Sequence, residues 1–355
     1  MAFLLTFLGK GGVGKTTCAI ASAKRLASQG KRVLLASQDS SPALGIILGQ
    51  AVGPEATELA DNLWALQFQS AKLLEQSWEE LKGLERQYMR TPFLKNVYGQ
   101  ELGVLPGMDS ALALNQLRQL HDQYDVIVFD GHGGQDSLRM LGTPEVVSWY
   151  LRRFRQVFLE SDLGKTLGPF IPPVAAAVMN VNWAADNFAQ PTQEINGLLE
   201  QGKQSISDPN RAAAFLVTDG QPASTATARY LWGAAQQVGL TVAGVIARGG
   251  GAEGFAPLPV AAVPTTQDWA SLMAAMPDLS LAKIAPQAVT VDLANRRVSL
   301  FLPSFDKTQV KLSQSGPEIT IEAGDQRRNL FLPPQMAGLP STGAKFQDGY
   351  LIISF

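Results

Sequence analysis

A run near the start of the chain, Gly9-Lys10-Gly11-Gly12-Val13-Gly14-Lys15-Thr16-Thr17, fits the pattern G-x-x-x-x-G-K-[ST]. Glycines at this spacing let successive backbone N–H groups turn inward around phosphate oxygens, at the positive end of a following helix. In that setting Lys15 reaches the β- and γ-phosphates, and the Thr16 hydroxyl ligates Mg²⁺. The chemistry implied is binding of a nucleoside triphosphate, with MgATP the expected ligand.

Two carboxylates can complete such a site. Asp130 closes the apolar run Asp125-Val126-Ile127-Val128-Phe129-Asp130, where an acid can hold Mg²⁺ through water. A cap on the next helix is the competing role. Asp39 follows another apolar run, Arg32–Ser37. It can orient or deprotonate an attacking water, or it can cap a turn with Ser40 and Ser41.

These residues need a scaffold. Ala2–Leu8 is a continuous apolar run that suits a central strand covered on both faces. Thr16–Ser28 reads as a helix with Gly30 as its stop, and Arg32–Ser37 as a second strand. Further on, Ser110–Asp122 reads as a helix, Asp125–Asp130 and Ala213–Thr218 as strands, Thr225–Val238 as a helix and Thr241–Ala247 as a strand. Strands alternating with helices imply a doubly wound, mostly parallel sheet with ligands at the carboxyl ends of its strands. Leu63–Arg90 and Glu145–Gln201 read as helical insertions. The Gly-, Ala- and Pro-rich stretch from Gly249 to Pro286 reads as the close of this unit and a linker. After Val289, short strand-like runs at Val291–Phe301, Val310–Leu312, Glu318–Glu322, Asn329–Leu332 and Tyr350–Phe355 suggest a small β-sandwich.

Composition narrows the field. Hydrophobic residues make up 46 % of the 355 and charged residues 17 %, enough for a large core. A net charge of −2 gives no general pull towards nucleic acid or anionic lipid. The single cysteine, Cys18, excludes an intrachain disulfide or a thiolate metal cluster within one chain, and it reads as a packed apolar side chain. Met1–Leu8 lacks the basic start and cleavage site of a signal peptide, and Ile171–Met179 is too short to span a bilayer. A soluble, cytoplasmic protein without stable membrane insertion is expected.

Lys10 adds a second lysine to the loop, the deviant Walker A pattern. The loop resembles that of the ArsA/Get3 and MinD/ParA class of ATPases. That resemblance implies that Lys10 reaches across a homodimer interface to the partner's nucleotide, although a solvated surface lysine would look the same. Further segments resemble the ArsA/Get3 branch. Leu105-Pro106-Gly107-Met108-Asp109 looks like its LPG segment, and Tyr124–Asp130 with Leu138-Arg139 and Pro144-Glu145-Val146 looks like its second switch. Ile206-Ser207-Asp208-Pro209 and Phe215–Thr218 look like the approach to a later core strand. Residues 1–285 are read as this ATPase unit, with helical insertions at about 63–100 and 145–205.

The departures are specific. Asp39-Ser40-Ser41-Pro42 replaces the family's D-P-A-H, and Asp130–Asp136 carries three glycines in place of D-T-A-P-T-G-H. The family's adenine-reading asparagine falls at Ala247 or Arg248. The family's metalloid-binding cysteines and its C-x-x-C zinc clasp are missing, which argues against arsenite as a ligand. Leu73, Leu74, Trp78, Leu81 and Leu84 stand at helical spacing where the targeting branch builds a groove for an apolar client helix, or else form core.

Residues 289–355 resemble the α-crystallin/Hsp20 fold through Leu302-Pro303-Ser304-Phe305-Asp306, Arg328–Pro333 and Ala344–Leu351, without its I-x-I tail. The combined expectation is a homodimeric ATPase switch for a client protein, with catalytic Asp39, Lys10 and Lys15. Its rivals are a nucleotide-gated scaffold and a MinD/ParA-like positioning protein. The last is disfavoured because the chain carries no excess positive charge and no basic amphipathic helix at its end.

Overall fold

The computed structural model describes residues 1–88, 94–160 and 190–355. The helical reading of the intervening segments, and the apolar stretch Ile171–Met179, lie outside the described residues.

An eight-stranded sheet organises the larger part. Its strands are β1 (Phe3–Leu8), β2 (Val33–Ser37), β3 (Thr57–Ala60), β4 (Leu63–Gln67), β5 (Val126–Asp130), β6 (Ala212–Thr218), β7 (Val242–Arg248) and β8 (Val260–Val263). They stand in the order β3-β4-β2-β5-β1-β6-β7-β8. Every pairing is parallel except that of the edge strand β3 with β4.

The pleat sends alternate residues to opposite faces. Leu8, Leu34, Ile127 and Leu216 meet helices α4 (Met108–Leu120), α5 (Gln135–Glu160) and α7 (Pro222–Gln237). Leu5, Leu35, Val128 and Val217 meet α1 (Lys15–Ser28) and α8 (Trp269–Ala275) on the other face. Burial on both faces explains why β2, β5 and β6 are apolar without alternation.

Three expectations need correction. Leu63–Gln67 is a strand beside β2, and only at Ser70 does helix α3 (Ser70–Tyr88) begin. Pairing with β2 outweighs the helical composition of the wider window. Val260–Val263 extends the sheet and α8 follows with Leu272 buried, so the Gly/Pro-rich stretch adds regular elements to this unit before the chain passes on. Leu73, Leu74 and Leu81 are buried and Trp78 donates to the Val97 carbonyl at 3.0 Å. Leu73, Leu74 and Leu81 therefore take the core role that was the alternative for this stripe.

The C-terminal part is a β-sandwich. A four-stranded antiparallel sheet orders β14 (Gly343–Gln347), β15 (Tyr350–Ser354), β10 (Arg297–Phe301) and β9 (Val289–Asp292). A three-stranded sheet orders β11 (Val310–Ser315), β12 (Glu318–Ala323) and β13 (Gln326–Phe331). Val298, Leu300, Ile319, Ile321 and Ile353 fill the space between the sheets.

This sandwich is seated on α7 and α5. Gly233 lets Phe305 lie against α7, because a Cβ there would stand 2.5 Å from the Phe305 ring. Trp232 meets Phe301 edge-on at 5.5 Å. The buried Arg328 guanidinium donates to the Gln236 carbonyl at 2.7 Å. On α5, Arg152 pairs with Glu318 at 2.9 Å and Arg139 pairs with Asp325.

Candidate functional site

The phosphate-loop residues lie between β1 and α1, over the carboxyl edge of the sheet. Gly12 and Gly14 adopt φ of 87° and 92°, left-handed values that glycine reaches without strain. Gly9 lies against β6, where a Cβ would come within 2.3 Å of the Val217 carbonyl oxygen. Space over Gly11 and Gly12 is open, with nothing within 4 Å of a Cβ built on either. Val13 is buried and anchors the loop, and Thr17 is half-buried in the first turn of α1.

Lys15 bends back over its own loop. Its Nζ donates to the carbonyls of Gly9 at 3.0 Å and Lys10 at 3.1 Å. Burial holds this amine below its ordinary value, and the Asp130 carboxylate partly offsets that. The Lys10 side chain is exposed.

Asp130 is buried at the end of β5, hydrogen-bonded to Thr16. Burial pushes its carboxyl up to about 6 against the pull of Thr16 and Lys15, and nearby Asp39 adds repulsion. Helix α5 starts only at Gln135, so Asp130 is not its cap. Asp39 turns its carboxylate towards Ser41, taking the backbone N–H at 2.9 Å and the hydroxyl at 2.9 Å. The turn-capping role is therefore real in this state. It does not exclude catalysis, because a carboxylate held by two local bonds can be released when a better partner arrives.

The glycine-rich loop after Asp130 folds onto the phosphate loop. Gly9 N–H donates to the Gly133 carbonyl at 2.9 Å, and Gly133 N–H donates to the Ser137 hydroxyl at 2.9 Å. Gly133 has φ of 67°, and a Cβ there would stand 2.0 Å from Lys15 Cε. Only glycine permits that contact.

These features fit MgATP. The loop is an open cradle of backbone around a lysine, and Thr16 with Asp130 supplies hard oxygen donors. The buried Ser37 hydroxyl and the Gln38 side-chain oxygen have no partner among the described residues, at the strand end beside Asp130. Among the described residues no three His, Cys, Asp or Glu side chains gather into a metal cluster. Mg²⁺ needs none, because it takes one or two protein oxygens and completes its shell with phosphates and water. Cys18 is buried just behind the loop, and burial pushes its thiol up to about 12. A thiol so disposed is inert packing.

Three neighbours make contacts that a reading of the sequence alone does not show. Gln67 donates to the carbonyls of Asp39 at 2.9 Å and Ser41 at 2.7 Å, and so fixes the Asp39–Ser41 turn. Gln135 begins α5 and joins the end of the Asp130–Gly134 loop to the β-sandwich through Gln326. Arg248 lays its guanidinium over Gly14, where a Cβ would fall 1.5 Å from Nη1. The sequence marked its position, at Ala247 or Arg248, but not its contact with Gly14.

Comparison with known proteins agrees with this geometry. Residues 2–249 match the family model described as anion-transporting ATPase. Residues 294–355 match that of an HSP20-like domain found in ArsA. A putative arsenical pump-driving ATPase of Chlorobaculum tepidum is 26 % identical, over 99 % of this chain and 95 % of the relative. The ATPase GET3 of Malassezia globosa is 32 % identical, over 57 % of this chain and 56 % of the relative.

Proposed function

The chain belongs to the anion-transporting ATPase family and is an ATPase, and from that premise we propose that it works as a homodimeric switch. MgATP binding and hydrolysis would be coupled to binding of a client protein or apolar helix, in the cytoplasm. The observation that carries the reading is the pairing of a glycine-built phosphate cradle with Lys15, Thr16 and Asp130 at one strand edge.

In this mechanism the amides of Gly9–Thr17 and the Lys15 ammonium hold the β- and γ-phosphates. Thr16 would hold Mg²⁺ directly and Asp130 would hold it through water. The metal supplies charge neutralisation on the phosphate oxygens. Lys15 must first leave the Gly9 and Lys10 carbonyls, and Gly133 must give way beside it. Asp39, released from Ser41, orients the attacking water. Lys10 of a second copy stabilises charge on the transferring phosphoryl, as an arginine finger does.

Coupling to a client has a physical route. Helix α5 begins at Gln135 beside the second switch, and its Thr143 and Pro144 line an apolar cavity of about 250 Å³. Leu114 and Leu117 of α4, and Leu198 and Leu199 of α6 (Gln190–Ser207), also line it. A shift of α5 would change the cavity. No helix among the described residues is long and apolar enough to cross a membrane. The proposal does not extend to arsenite, which needs several thiolates where this chain has one buried cysteine.

A second reading, a nucleotide-gated scaffold that turns over slowly, is favoured by one feature: Asp39 is tied to Ser41 and Lys15 to its own loop. Phosphate release from MgATP, followed over a range of protein concentrations beside Lys15→Ala and Asp39→Asn, separates the two. Turnover rising faster than linearly with protein, and lost in both variants, supports the dimeric switch. Wild-type release no greater than that of Lys15→Ala would sink it in favour of the scaffold.

A further inference from the structure

The apolar cavity between α4, α5 and α6 lies at the opposite edge of the sheet from the phosphate loop. The loop follows Leu8 at one end of β1, whereas Met1, Ala2 and Leu4 line the cavity at the other. Ala212, the first residue of β6, lines it too. Nothing assigned to this cavity depends on the phosphate-loop reading.

Its lining changes character from floor to rim. Leu117, Ile127, Leu199, Ile206 and Ala212 are buried and make an apolar floor. Met1 and Arg118 are exposed, and His121 and Arg211 half-buried, so the rim is cationic. Arg118 donates to the Asn115 side-chain oxygen at 3.0 Å, and Arg211 to the Ser205 hydroxyl at 3.1 Å. Among the described residues no Asp or Glu belongs to the lining. Asp122, beside it, stands 3.7 Å from the Met1 amino group and 3.4 Å from His121.

Volume and charge together select a ligand. An apolar cavity of about 150 Å³ holds benzene, so one of about 250 Å³ suits roughly ten carbons. An α-helix is about 10 Å across, and a client helix could insert no more than a side chain or two. A guanidinium has donors only and pairs best with a charged acceptor. We infer that this cavity binds a free medium-chain alkyl carboxylate, its chain against Ile127 and Leu199 and its carboxylate at Arg118 and Arg211.

The test is calorimetric titration of the full chain with decanoate, decanol and decyltrimethylammonium, each below its micelle concentration. Decanoate is expected to bind with a Kd on the order of 10–100 µM, and decyltrimethylammonium at least about tenfold more weakly. Arg118→Gln, at an exposed position, should weaken decanoate by about threefold and leave decanol unchanged. Ala111→Phe, which pushes a ring into the cavity from α4, should abolish binding of both. Absence of decanoate binding in wild type overturns the inference with no variant needed. Equal binding of the anionic and cationic probes also overturns it, because the rim would then select nothing. So do equal effects of Arg118→Gln on decanoate and decanol, or decanoate binding that survives in a folded Ala111→Phe. Capture of an apolar helical peptide or of phosphatidylglycerol vesicles, without decanoate, would give the cavity to a client or a membrane and overturn it too.

Discussion

Gln326 of the β-sandwich donates its side-chain amide to the Gln135 side-chain oxygen at 2.7 Å. Gln135 is the first residue of α5, directly after the glycine loop that lies on Lys15. The sandwich is thus fastened to the helix that follows the loop packed on Lys15. Gln326→Leu should cost about 1 kcal/mol in urea unfolding, the net worth of one such bond. It should also change the nucleotide dependence of α5 protection in hydrogen exchange. Identical exchange with and without the substitution would mean the link is structural only.

Arg328 presents a second contrast at the same interface. Its buried guanidinium holds the Gln236 carbonyl, and burial pulls it below its ordinary range. Arg328→Ala leaves a cavity and an unpaired carbonyl and should cost roughly 2–4 kcal/mol. Arg328→Met fills the volume without a charge and should cost much less. Equal losses in denaturant melts would show that charge, not packing, holds the sandwich on α7.

Asp130 predicts an unusual pH response. Its folded carboxyl titrates at about 6, above the ordinary 3.8, because burial favours the neutral form. Between these values the folded chain binds a proton that the unfolded chain does not, so nucleotide-free stability falls as pH rises through that window. The cost is complete above about 6 and absent below about 4. Asp130→Asn should therefore stabilise the nucleotide-free protein by up to about 3 kcal/mol at pH 8, fading towards pH 4. A gain of the same size at both pH values would contradict the mechanism.

Lys15→Ala should leave the fold intact while weakening MgATP binding by roughly 10- to 100-fold, as expected for loss of charge-assisted bonds to phosphate. Thermal unfolding without nucleotide should change little. The amine is partly desolvated, and its bonds go to carbonyls that solvent can satisfy. Calorimetric affinities equal to wild type would remove Lys15 from the site.

Gly133→Ala forces a side chain into left-handed backbone and against Lys15. A cost of about 1–2 kcal/mol and slower phosphate release are expected. Normal turnover would show that the loop leaves Lys15 well before chemistry.

The sequence alone determined what local chemistry specifies. The loop glycines, Lys15 and Thr16 stand in one contiguous run, and the doubly buried strands announce themselves as unbroken apolar segments. The ends of β5 and β2 marked Asp130 and Asp39. Tertiary structure decided what depends on partners distant in sequence. Leu63–Gln67 became a strand because β2 offers a free edge, and Leu73, Leu74 and Leu81 on α3 became core because neighbouring elements cover them. Arg248 reaches Gly14 across more than two hundred residues of sequence, and Gln326 reaches Gln135 across nearly as many. No periodicity encodes such meetings, because they follow from strand order and domain seating.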